Sequence, residues 1–261
     1  MAGHSKWANI KRQKARVDAV RGKTFTQISR AIIVAARNGV PDPQGNFQLR
    51  TAIEKAKAAG IPNDNIERAI AKGAGTFEED SANFEFIRYE GYGAGGVAIL
   101  IEALTDNRNR TAADLRAAFS KNGGNLGETG CVSWMFTHKG VVRFLTYDRY
   151  TNVPFDEEEI LELCIEVNAD SYELTEVDDE KAVELFTDVG NLETLSQTLK
   201  EKGYVVEAEI RWLPNNTVEV SDPEQARSLL KLIDTLESLD DVQNVTANFE
   251  MAEQLMSASI A

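Results

Sequence analysis

Cations are the functional groups that this chain concentrates. The stretch SKWANIKRQKARVDAVRGK, Ser5 to Lys23, holds Lys6, Lys11, Arg12, Lys14, Arg16, Arg21 and Lys23 beside a single acid, Asp18. Lys and Arg placed against phosphates release counterions, and six to eight such contacts give a salt slope of about −5 to −7. On a helical wheel Ile10, Val17 and Val20 lean to one side, while Lys11, Arg12, Lys14, Arg16 and Arg21 take nearly every other direction, which leaves a poor core-facing stripe. Arg12 with Arg16 and Lys11 with Lys14 are like-charge neighbours that cost about 0.2–0.5 kcal/mol each, offset in part by Lys14 with Asp18. An external polyanion removes that repulsion; a solvated basic helix face is the plainer alternative. Trp7 is suited to stacking on an exposed base or to packing on the helices that follow. The candidate nucleic-acid contacts are Lys6, Trp7, Lys11, Arg12, Lys14, Arg16, Arg21, Lys23 and, further along, Arg30.

Other chemistry finds less support. The histidines are His4 and His138 only, and the cysteines Cys131 and Cys164 lack C-x-x-C spacing, so neither a zinc ribbon nor a histidine triad is expected. GYGAGG satisfies G-x-G-x-x-G at Gly91, Gly93 and Gly96, yet the β-branched VAILIEAL that follows reads as a strand where a dinucleotide site needs a helix. The acids Asp156 to Glu159 sit where a helix starts, and carboxylates in a first turn stabilise the helix dipole. Asp178, Asp179 and Glu180 read as a turn. TDNRNRTAADLR, Thr105 to Arg116, is either a functional loop or a cap and turn made by Asp106, Asn107 and Thr111. The glycines of NGGNLGETGCVSW fit a tight helix-to-strand connection. No catalytic, cofactor or metal site is expected.

These residues must be positioned by elements that the patterning supplies. Phe25, Ile28, Ile32 and Ala35 follow helical spacing over 24–38, with Gly39 as a stop; a second helix spans about 46–59, and a third, with Asp64 and Glu67 at capping-box spacing, runs to Gly73. Strands follow in NFEFIRYE and GGVAILIEAL, then a helix at 108–121 and a strand at 131–136. The order strand 140–146, helix 156–167, strands 170–177 and 181–187, helix 191–202, strand 204–212 is βαββαβ, the ferredoxin-like unit. A strand at 217–220, a helix from Pro223 to Leu239 capped by Asp222 and a strand at 242–249 are too few for a core of their own. The expected fold is therefore α+β and multidomain: a basic helical bundle domain at 1–75, an α+β domain of 82–136 plus 214–250, and the ferredoxin-like domain, 137–213, inserted in it.

Charge separates along the same lines. Residues 1–75 carry fourteen Lys and Arg against five Asp and Glu, a formal +9, while 76–261 carry fourteen against thirty-seven, −23, within the chain's −14. At a Debye length of about 8 Å a distant acidic domain does not cancel a local basic surface. No window approaches the ~18–20 apolar residues of a membrane span, the start lacks a secretory apolar region, and the chain reads as cytoplasmic.

Four motifs in order, MAGHSKWANIKRQKARVDAVRGK, GIPNDNIERAIAKG, YEGYGAGGVAILIEALTDNRNRT and GGNLGETGCVSWMF, closely resemble the YebC family. That family is also called the PmpR type, and its mitochondrial relative is the translational activator of cytochrome oxidase subunit one. The resemblance covers essentially the whole chain and implies three domains, with the ferredoxin-like one inserted. It also implies a cytoplasmic regulator of gene expression, DNA-binding in some bacterial members and a translation factor at the ribosome in others. From the residues, the expected function is non-enzymatic nucleic-acid binding, and the resemblance makes DNA in transcription control the first expectation. Ribosomal RNA in translation control is the alternative, and an acidic protein-interaction adaptor or a carboxylate enzyme are rivals of other classes. No helix-turn-helix with a base-reading face is identifiable, so phosphate contacts would position the protein without specifying sequence.

Overall fold

Helix α1 (Ala19–Asn38) begins earlier than the apolar spacing predicts, and packs with α2 (Phe47–Ala58) and α3 (Asn63–Gly73) into a bundle. The computed structural model describes residues 3, 6–7, 19–75, 84–146, 156–177 and 180–258. The bundle core is Ile32, Ile33, Ala36, Leu49, Ala56, Ile61 and Ile66. Asn46 caps α2 by accepting from the Leu49 amide at 3.0 Å. The expected Asp64–Glu67 capping box does not form: α3 starts two residues sooner, with Pro62 in the cap position, and Asp64 sits within its first turn with no side-chain cap present.

A four-stranded sheet follows in the order β3-β1-β2-β9, from β1 (Glu85–Tyr92), β2 (Ala98–Thr105), β3 (Asn125–Leu126) and β9 (Val242–Ala247). β1 and β2 pair antiparallel with Glu85 opposite Thr105. GYGAGG makes the turn between them, with Gly95 and Gly96 at φ 72° and 75°, a conformation open to glycine. Helices α4 (Arg108–Lys121) and α7 (Pro223–Ser238) cover this sheet's core, and Asp222 caps α7 through the Gln225 amide at 2.8 Å.

The strand expected at 131–136 is not one. A short helical turn occupies Ser133–Met135, and β4 runs unbroken over Phe136–Leu145. The reason is Glu90, whose buried carboxylate accepts from the amides of Gly130, Val132 and Ser133 at 2.7–2.8 Å, taking donors that a strand ladder would need.

β4, α5 (Glu157–Glu166), β5 (Ser171–Val177), β6 (Glu180–Thr187), α6 (Leu192–Glu201) and β7 (Glu207–Pro214) form an antiparallel sheet in the order β5-β6-β4-β7, the ferredoxin-like arrangement. Asp156 and Glu159 complete a capping box at the start of α5. The remaining elements are β8 (Val218–Glu219), β10 (Phe249–Glu250), which pairs with it in parallel, and α8 (Glu253–Ala258).

The fold is α+β, with an N-terminal helical bundle followed by two α+β parts, the second ferredoxin-like and inserted in the first. By packing, the bundle and the first sheet make one unit and the ferredoxin-like part the other, to which Lys6 and Trp7 belong. The bundle is thus joined closely to the first sheet.

Candidate nucleic-acid interface

Each cation singled out above has its own position. Lys11, Arg12, Lys14 and Arg16 lie outside the described residues. Arg21 and Lys23 fall on the first turns of α1, whose backbone is described. Lys6 is half-buried. Trp7 is only 2% exposed, so the stacking role is corrected: an enclosed ring has no face left for a base. Its indole Nε1 has no hydrogen-bond partner among the described residues.

Arg30 is also corrected. Its guanidinium donates to Asp241 Oδ1 at 3.1 Å and to the carbonyls of Asp240 and Leu104, and it lies over the Phe84 ring at 5.5 Å. With Nη1 turned to a carboxylate and two carbonyls of the chain itself, Arg30 ties the bundle to the first sheet. Gln27 does the same through the Val242 carbonyl at 2.8 Å. Sequence periodicity placed Arg30 on a helix but gave no sign of a carboxylate 211 positions away.

Asp241 is the centre of that attachment. Its Oδ2 accepts from Arg110 Nη2 at 2.9 Å and from the hydroxyls of Thr111 and Thr105 at 2.8 and 3.1 Å. Burial pushes this carboxyl upward, but the hydrogen bonds from Arg110, Thr111 and Thr105 and the Arg110 charge outweigh it and hold the group below the usual carboxylate range. The residues of TDNRNRT therefore act as cap and clamp. Asn107 caps α4 by accepting from the Arg110 amide at 3.1 Å, and Arg110 also donates to Asp106 at 2.8 Å. Glu90 follows the same rule: burial raises it, and the amides of Gly130, Val132 and Ser133 bring it below its ordinary value. Both acids are displaced in the opposite sense from a general acid at neutral pH. Among the described residues no group of three His, Cys, Asp or Glu could hold a metal ion.

The bundle also presents cations that were counted in the sequence but not singled out. Lys57 near the end of α2 and Arg68 on α3 are exposed, beside Ala56 and Ala69, which are buried. Their signal was helical phase, since each directly follows or precedes a core position.

A family model for the TACO1/YebC N-terminal domain matches residues 5–76, and one for the TACO1/YebC second and third domain matches residues 84–249. The chain belongs to the TACO1/YebC family. Its relatives in that family include a probable transcriptional regulatory protein of Gloeothece citriformis, 73% identical over 262 residues and 100% of both chains. Another, from Synechocystis, carries the same description and is 63% identical over 98% of both chains. Among solved structures, the conserved hypothetical protein Aq1575 of Aquifex aeolicus is 46% identical with a TM-score of 0.79, covering 92% of this chain and 94% of its own. Within the TACO1/YebC match, the N-terminal domain model takes in the whole basic stretch and the bundle, and the second ends at Phe249 in β10, just past the last strand of the first sheet.

Proposed function

We propose that this chain is a non-enzymatic regulator of gene expression that works in the cytoplasm by binding nucleic acid, DNA in the first place, through the cations of its N-terminal stretch and bundle. The observation that carries the proposal is the +9 of residues 1–75 on a chain of net charge −14. The relatives described as probable transcriptional regulatory proteins support it. No described helix is long and apolar enough to cross a membrane. Within the stretch, Lys6, Lys11, Arg12, Lys14, Arg16, Arg21 and Lys23 are the phosphate contacts, joined by Lys57 and Arg68 of the bundle. Arg30 and Trp7 serve structure.

The test replaces Lys11, Arg12, Lys14 and Arg16 together with Gln. Loss of four phosphate contacts should reduce the slope of log K against log salt by about 3.6 for duplex DNA. Unchanged affinity and slope would sink the proposal. Ribosomal RNA is the second polyanion of suitable chemistry. Crosslinking in living cells followed by sequencing of the bound nucleic acid separates the two: promoter fragments mark transcription control, and ribosomal RNA marks translation control.

A further inference from the structure

Helix α5 turns Ile160, Leu163 and Cys164 inward, yet it leaves Leu161 and Ile165, one turn apart, 48% and 71% exposed. At 100° per residue these two share a flank with Glu157, and Glu157 accepts a hydrogen bond from the Tyr172 hydroxyl of β5 at 3.4 Å. The flank therefore faces β5, which stands last in the sheet order β5-β6-β4-β7. Leu174, two residues beyond Tyr172 and so on the same face of the sheet, is 52% exposed. One exposed leucine is ordinary. Leu161 and Ile165 make an exposed aliphatic strip along α5, and Leu174 adds a third such side chain on the strand that packs against it, a surface of the kind that marks an interaction site.

The surroundings of the strip decide its occupant. Glu157, Glu158 and Glu162 are exposed on α5 around Leu161 and Ile165, and Glu166 at its end is paired with Lys202. A second copy placed two-fold on this face would set the same carboxylates against each other. Nucleic acid and an anionic lipid surface are repelled by the same charges. A basic amphipathic helix meets both conditions: its apolar row packs along the Leu161–Ile165 ridge, and its cations face the glutamates. We propose that this flank of α5 with β5 docks a basic amphipathic helix of another protein. It is independent of the N-terminal cations, so it stands or falls apart from nucleic-acid binding.

The experiment uses the full chain and two fluorescein-labelled synthetic peptides of about 18 residues, composed of Lys and Leu in equal number. One has leucines at i, i+3, i+4 and i+7; the other has the same composition permuted to destroy the face. By anisotropy the first should bind at least tenfold more tightly than the second. Leu161→Ser with Ile165→Ser should lose at least tenfold in affinity for it. Glu158→Gln with Glu162→Gln should weaken binding and flatten its salt dependence, while Val205→Ser, an exposed aliphatic elsewhere in this unit, should leave it unchanged. Hydrogen exchange on the unaltered chain should show peptide-dependent protection on α5 and β5, a reading that needs no substitution. Equal binding of the permuted peptide, undiminished binding by the double serine variant, protection confined to other elements, or self-association lost in that variant would each overturn the proposal.

Discussion

Arg30 and Asp241 show how much a single partner changes the meaning of a charged residue. Arg30 belongs by position to the basic end of the chain, but its guanidinium is committed to Asp241 and two carbonyls. Arg30→Gln should therefore lower stability, by about 1–3 kcal/mol for a charge-assisted buried contact, and leave the salt slope of DNA binding unchanged. Urea denaturation and a salt titration on the same variant check the two halves. Asp241→Asn should cost on the order of 3 kcal/mol, because it leaves buried donors facing a neutral amide. Its pH dependence has a definite sign. Asp241 and Glu90 are both depressed in the folded chain, so their stabilisation is whole above the unfolded carboxyl values of about 4 and is lost as pH falls through the lower folded values. The gap in urea midpoint between wild type and Asp241→Asn should be wide at pH 7 and narrow below pH 4.

At the scale of elements, helix crossings and loop latches do what propensity does not. A Cβ on Gly73 would collide with the Ile33 carbonyl and with the Ala36 side chain, so the glycine is what lets α3 lie close against α1. Gly73→Ala should force these helices apart and destabilise the chain by about 1–3 kcal/mol, read as a lower thermal midpoint by circular dichroism. The segment 127–133 makes the complementary point. Its sequence reads as the entry to a strand, yet Glu90 draws three consecutive-region amides away from any ladder and the strand starts only at Phe136. The helix start at Asp156 to Glu159 was legible from its run of acids, and the capping box that the structure adds there joins partners only three residues apart. The latch on Glu90 was not, because its donors lie about forty positions away.

For the whole molecule the decisive feature is that the ferredoxin-like part begins and ends at one place. Phe136 on β4 stands opposite Pro214 on β7, and the Asn215 amide donates to the Met135 carbonyl at 2.8 Å. Adjacent ends let a domain be inserted without separating the strands of its host. A chain in which a short Gly-Ser turn replaces 137–213 should keep the bundle and first sheet folded, with a cooperative thermal transition and helical circular dichroism. Loss of the transition would show that the two parts fold only together.

Most of the order of elements, the βαββαβ succession and the division of charge were readable along the chain. Each rests on neighbours within a few residues: helical or alternating spacing, Gly and Pro stops, and runs of one sign. The three-dimensional packing turned Arg30 toward the molecule's own acceptors, made 130–135 a latched loop rather than a strand, and drew Trp7 inside. Those outcomes depend on Coulomb and hydrogen-bond partners distant in sequence, as Arg30 depends on Asp241 and Gly130 on Glu90, and no local pattern encodes such a pairing.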